Sequence, residues 1–212
     1  MIITFGTQKG GVGKTTLAIA FANYITLHTD KKINVIDYDF QKSFYQKWID
    51  DEDVSGEYLY KVTVPDEEDE KDLNSPEVLQ VLKESEEIYL IDIAGHIEKK
   101  YSTVLQFSDY IIVPFSYSDV TVNSTMVFVN LCRLLELKTT LVFVRNQVDK
   151  IAHYRNKIEM DIELSKYGIL LENSVYKRNC LQTITTKGFS KEQLLAIKNV
   201  FDELIYNIYG NT

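Results

Sequence analysis

The first 25 residues run in the order apolar strand, glycine loop, helix. Met1-Ile2-Ile3-Thr4-Phe5-Gly6 leads into Lys9-Gly10-Gly11-Val12-Gly13-Lys14-Thr15-Thr16, and Leu17-Ala18-Ile19-Ala20-Phe21-Ala22-Asn23-Tyr24-Ile25 reads as a helix. A buried strand feeding a loop that ends in Gly-Lys-Thr is the outline of a cradle for nucleotide phosphates. Gly10, Gly11 and Gly13 let the backbone take positive φ and approach phosphate without a Cβ in the way. Lys14 is expected on the outer phosphates, Thr15 on Mg²⁺, and Thr16 nearby with a second hydroxyl. The helix that follows would aim the positive end of its dipole at the same place.

The ordinary spacing of such a loop asks for Gly five places before Gly13. Gln8 occupies that place, with a second lysine, Lys9, beside it. The string Gln8-Lys9-Gly10-Gly11-Val12-Gly13-Lys14-Thr15-Thr16 resembles the deviant Walker A motif of the ParA/MinD superfamily of P-loop ATPases, most closely its ParA-type partition branch. The resemblance implies ATP and Mg²⁺ as cofactors and a homodimer that closes over ATP. It also implies that Lys9 reaches across the dimer to the partner's phosphates.

Three further apolar runs end in polar residues. Ile33-Asn34-Val35-Ile36 delivers Asp37-Tyr38-Asp39-Phe40-Gln41. Two aspartates two apart would point the same way if the strand persisted, and carboxylates at a strand end suit Mg²⁺-bound and attacking water. The resemblance assigns Asp39 to the hydrolytic water and to Mg²⁺, and Gln41 to the switch glutamine; Phe40 stands where the family has proline. Ile88-Tyr89-Leu90-Ile91-Asp92 resembles a Walker B strand whose acid, Asp92, holds Mg²⁺ through water. It continues Ile93-Ala94-Gly95-His96 in place of the family's Thr-Pro-Pro, and His96 reads as a loop residue. Leu141-Val142-Phe143-Val144-Arg145 ends at Asn146, which matches the asparagine whose amide reads the adenine edge.

The alternation of strand and helix predicts a doubly wound, mainly parallel α/β sheet with ligand beyond the C-terminal strand ends, the P-loop NTPase fold. Strands are expected near 1–6, 33–37, 88–92, 109–115 and 139–146, with a short sixth near 172–176. Helices are expected near 15–28, 43–50, 76–86, 119–137, 150–166 and 190–208. A length of 212 residues fits a single domain, 1–212. It is interrupted at about 50–72 by an acidic insertion, Asp50-Asp51-Glu52-Asp53 and Asp66-Glu67-Glu68-Asp69-Glu70, which reads as a solvated surface loop or as a patch for a basic partner. Cys132 and Cys180 have no metal-ligand spacing, and Cys132 falls in an apolar helical pattern. The start in a strand, without a signal-like segment, and the lack of a spanning apolar run predict a cytoplasmic protein.

The formal net charge of −8 argues against wholesale coating of nucleic acid, although the C-terminal third is locally basic. Val175-Tyr176-Lys177-Arg178-Asn179 through Thr186-Lys187-Gly188-Phe189 resembles the stretch that carries DNA contacts in ParA proteins, which makes Lys177, Arg178 and Lys187 the candidate DNA residues. The C-terminal helix carries mostly acidic charge, which anionic lipid would repel, so no membrane is expected. Taken with the resemblance, the expectation is a short partition ATPase lacking the N-terminal helix-turn-helix of longer forms. It would hydrolyse ATP slowly through Lys9, Lys14 and Asp39, bind DNA non-specifically near the nucleoid, and be activated by a ParB-like or other small basic partner. A metabolic ligase of the same superfamily, or a non-hydrolysing scaffold, are the alternatives.

Overall fold

The computed structural model describes residues 1–66, 71, 73–95 and 99–210. His96 and the acidic residues 67–70 lie outside the described residues. Seven strands form one wholly parallel sheet: β1 (Ile2–Phe5), β2 (Ile33–Tyr38), β3 (Lys61–Thr63), β4 (Ile88–Ile93), β5 (Tyr110–Phe115), β6 (Thr140–Arg145) and β7 (Ile169–Leu170). Their order is β3-β2-β4-β1-β5-β6-β7, so the chain starts in the middle of the sheet and winds outward in both directions. The crevice between diverging halves is where such sheets bind ligand.

Helices cover both faces. Helices α1 (Lys14–His28), α2 (Ser43–Asp50) and α7 (Lys191–Tyr209) share one buried cluster with Ile3, Phe5, Val35, Leu90, Ile112 and Val142. On the other face, α3 (Pro76–Glu84), α4 (Ser102–Phe107), α5 (Asp119–Leu134) and α6 (Lys157–Leu164) share a cluster with Ile2, Ile91, Ile111, Val113 and Phe143. The strands therefore split residue by residue between two cores, the period-2 consequence of pleating, although their sequences read as continuous apolar runs. The same alternation puts Asp37 and Asp92, opposite each other on β2 and β4, on the α1 side of the sheet.

The outer parts of the fold differ from expectation. The sixth strand lies at 169–170 rather than 172–176, with Val148 and Tyr176 forming only an isolated bridge. Helix α6 is eight residues long within the expected 150–166, and α4 has no counterpart in the expected helices. The acidic insertion contains β3, a parallel edge strand beside β2.

Asp51 also departs from a solvated loop: it is 1% exposed. One oxygen accepts the Thr186 backbone N–H at 2.6 Å and the Thr186 hydroxyl at 3.0 Å, and the other accepts Lys47 Nζ at 2.6 Å. This carboxylate ties the end of α2 to a loop 135 residues further along. Removing it strands buried donors, so Asp51→Ala should lower unfolding free energy by about 3 kcal/mol, read as a shifted urea midpoint at constant slope.

Candidate functional site

Two of the three glycines after β1 take the positive φ expected of them, and Gly10 does not. Gly11 and Gly13 sit at φ 81° and 77°, in the left-handed region, and Gly13 is the N-cap of α1. Helices α3, α5 and α7 begin with a serine whose side chain accepts a first-turn N–H, whereas α1, like α2, α4 and α6, begins without a side-chain cap. Its leading N–H groups are left for an anion. Lys9, Gly10, Gly11, Gly13, Lys14, Thr15, Thr16, Asp39, Phe40, Gln41, Ser43 and Gly95 line one cavity of about 420 Å³.

Lys14 is only 7% exposed, and its ammonium bonds to the Asp92 carboxylate, which is fully buried. Thr15 Oγ1 donates to the other Asp92 oxygen at 2.8 Å, and Asp39 Oδ2 stands 4.0 Å from Lys14 Nζ. Burial pushes the Asp92 carboxyl above the usual carboxylate range, against the opposing pull of Lys14 and Thr15. Four residues that the sequence assigned to phosphate, Mg²⁺ and water are thus gathered at one point from α1, β4 and the turn after β2.

Asp37 and Asp39 take different partners, because β2 ends at Tyr38. A turn closes at Lys42, whose N–H donates to Asp39 O at 2.9 Å and whose φ is 50°. Asp37 accepts the backbone N–H groups of Asp39 (3.2 Å) and Tyr45 (2.9 Å), which makes it the brace of this turn and of the start of α2. Burial raises its carboxyl to about 6. Asp39 is left facing Lys14, with its Oδ1 accepting the Gln41 N–H at 3.0 Å. Phe40 sits 82% exposed at the cavity rim.

The β4 tail touches the loop directly. A Cβ on Gly95 would lie 3.0 Å from Gly10 N, so the two backbones pack closely and any larger residue would have to push the loop back by a few tenths of an ångström. Lys9 lines the cavity and has no ion-pair partner among the described residues.

Asn146 is buried, and its Nδ2 donates to Val12 O at 2.8 Å. One of the two amide hydrogens is therefore taken by the loop, leaving the other hydrogen and Oδ1 for a base edge. The adjacent Gln147 donates to Gly11 O at 3.3 Å, a contact that sequence reasoning missed. Two consecutive amides just beyond an apolar strand were the available signal. Asn146 and Gln147 line a second, smaller cavity of about 150 Å³ that shares Gly13 and Thr16 with the first.

Lys177 and Arg178 line this second cavity beside Tyr176. Lys187 does not join them. Its ammonium donates to the carbonyls of Glu52 (2.9 Å) and Val54 (2.7 Å) and lies 4.5 Å from the Tyr58 ring centre. The three candidate DNA residues thus form a pair and a separate, engaged lysine rather than one cluster. Among the described residues no helix is long and apolar enough to cross a membrane, and no group of three or more His, Cys, Asp or Glu is placed to hold a metal unaided.

A model of the AAA domain family matches residues 1–81. No curated protein sequence matches the chain. Several solved structures are similar over almost the whole length. One is a Borrelia burgdorferi B31 protein assigned to plasmid partition and bound to AMPPNP, with 19% identity, TM-score 0.73, and 97% of this chain and 98% of that one covered. Another is the MinC:MinD cell division protein complex of Aquifex aeolicus, at 16% identity, TM-score 0.69, and 98% and 95% coverage. A third is the ParA of pNOB8 bound to nonspecific DNA, at 16% identity, TM-score 0.67, and 100% and 99% coverage. With its glycine loop leading into α1 and its carboxylates at the ends of the central strands, the chain has the fold of the ParA/MinD-type P-loop ATPases.

Proposed function

We propose that this chain is a Mg²⁺- and ATP-dependent dimerising switch ATPase of the ParA type, acting in the partition of a plasmid, chromosome or mobile element through reversible, non-specific DNA binding. The observation that carries the reading is the convergence of Lys14, Thr15, Asp92 and Asp39 on the glycine loop. A buried lysine held by two acids is poised to trade them for phosphate, which the uncapped α1 N-terminus and the loop amides would share.

Thr15 and Asp92 fit Mg²⁺ as hard oxygen donors, and two protein ligands suit an ion that keeps several waters and takes its other ligands from phosphate. Bound there, Mg²⁺ would neutralise charge between the outer phosphates. Asp39 would orient the attacking water from its position beside Lys14. Lys9 would reach the phosphates of a second copy, and Asn146 would offer Oδ1 to adenine. One domain, 1–212, would carry all of these roles, working in the cytoplasm and on the nucleoid in its ATP state.

DNA binding is supported by likeness to the DNA-bound pNOB8 ParA and by the exposed Lys177 and Arg178. Binding by paired basic residues across a dimer would be salt-sensitive and independent of sequence. A ParB-like or other small basic activator would shorten the ATP state, and the exposed Asp50, Glu52 and Asp53 of the acidic insertion suit such a partner. The test is fluorescence anisotropy with duplex DNA at fixed low salt, with Mg²⁺ plus ATP, ADP or no nucleotide. The expected result is binding in ATP alone, lost at high salt. ATP binding without DNA binding in any state would overturn the DNA output and leave a protein or small-molecule target.

A further inference from the structure

Gln147 combines two features that a surface residue rarely shows together. Its φ is 55°, in the left-handed region that L side chains seldom adopt, and its amide is aimed at the carbonyl of Gly11. The flanking backbone is fixed on both sides. Asn146 N–H donates to Phe115 O on β5 at 2.7 Å, Val148 N–H donates to Val175 O at 3.1 Å, and Lys177 N–H donates to Val148 O at 2.9 Å. The left-handed residue is therefore a held kink between anchored neighbours, and a held unfavourable conformation points to a role for the side chain it directs.

The two amides act on successive peptide units of the glycine loop. Gln147 takes the carbonyl of Gly11 and Asn146 that of Val12. In a trans peptide the C=O and N–H of one unit point in opposite directions. Holding those two carbonyls turns the N–H groups of Val12 and Gly13 the other way, as donors for an anion. The approach depends on Gly13 having no side chain, since a Cβ there would sit 2.6 Å from Asn146 Nδ2 and 3.0 Å from Gln147 Nε2.

We propose that Gln147, together with Asn146, is a positioning residue for phosphate binding: its amide holds the Gly11–Val12 peptide so that the loop presents its N–H groups before nucleotide arrives. This rests on the nucleotide-binding reading above. Preorganised donors bind an anion better than donors that must first be turned, so the clamp acts on affinity rather than on the chemical step.

Two variants separate the clamp from folding. Gln147→Gly keeps the left-handed backbone and deletes the amide, and Gln147→Glu keeps the length while replacing the donor with an acceptor. Both should weaken binding of a fluorescent ATP analogue with Mg²⁺ by about 10-fold, the loss of roughly one hydrogen bond's worth of organisation. The unfolding midpoint of Gln147→Gly should match or exceed that of wild type. Backbone ¹⁵N relaxation at Val12 and Gly13, measured in the nucleotide-free protein, should give lower order parameters in both variants while those of β1 and β4 stay as they were. Wild-type affinity in both variants, or unchanged order parameters at Val12 and Gly13, overturns the assignment. Failure of the wild-type protein itself to bind the analogue overturns the nucleotide reading, and the phosphate role of the clamp with it.

Discussion

Replacing Lys14 with alanine is expected to abolish nucleotide binding and to destabilise the protein at the same time. The first effect follows from the loop. Among the described residues the ammonium is the one side-chain cation buried at the glycine loop, 7% exposed and within reach of the Asp39 and Asp92 carboxylates. Its charge-assisted contacts to phosphate represent about 3 kcal/mol, so affinity for ATP should fall by about 100-fold or more. The second effect follows from the partner. Asp92 is fully buried and its carboxylate would keep only the Thr15 hydroxyl. An unpaired buried carboxylate costs on the order of 3 kcal/mol. Isothermal titration with ATP and Mg²⁺ reads the first effect, and a urea melt without nucleotide reads the second. Tight ATP binding by a well-folded Lys14→Ala protein would remove the central claim about the site. Lys14→Arg provides a control, since it keeps the charge but not the compact shape that fits the loop.

The centre of the molecule was legible in the sequence because its constraints are local. Gly11 and Gly13 occupy backbone conformations that other residues resist, and Gly95 lies against Gly10 where a Cβ would press on the loop backbone. Four apolar runs that carry the motifs are covered on both sides, and such strands announce themselves. The periphery was not legible, for a physical reason in each case. Strand β3 has three residues at the sheet edge, exposed, buried and exposed, and β7 has two, so neither offers enough pattern to distinguish it from loop.

Asp51 sits in an acidic run that reads as solvated surface, yet Thr186 and Lys47 make it a buried joint. Nothing near Asp51 in the chain could have indicated a partner 135 residues away. The spacing of Asp37 and Asp39 places them on one side only if the strand persists, and a turn one residue past its end gives them different work. Gln147 is illegible in the sequence for a related reason, since its direction depends on a φ that only the anchored backbone around it imposes.

The other large effect is expected at Asp39. Its carboxylate is the acid at the cavity that is not committed to bracing backbone around α2, as Asp37 is, or to holding Thr15, as Asp92 is. One oxygen accepts the Gln41 N–H, which fixes the carboxylate's orientation, and the other faces Lys14 at 4.0 Å. A carboxylate so placed can align a water and draw its proton, a contribution of about 100-fold or more to rate. Asp39→Ala should therefore cut hydrolysis by at least about 100-fold while leaving ATP affinity within about threefold of wild type. Affinity should if anything improve, because one negative charge leaves the neighbourhood of the phosphates. The variant also links chemistry to the proposed switch: if hydrolysis ends the DNA-bound state, complexes formed in ATP should persist correspondingly longer. Single-turnover hydrolysis and anisotropy decay after a competitor chase measure the two halves. Unchanged hydrolysis would take the water-orienting role away from Asp39, and slowed hydrolysis with an unchanged DNA lifetime would separate the timer from the DNA-bound state.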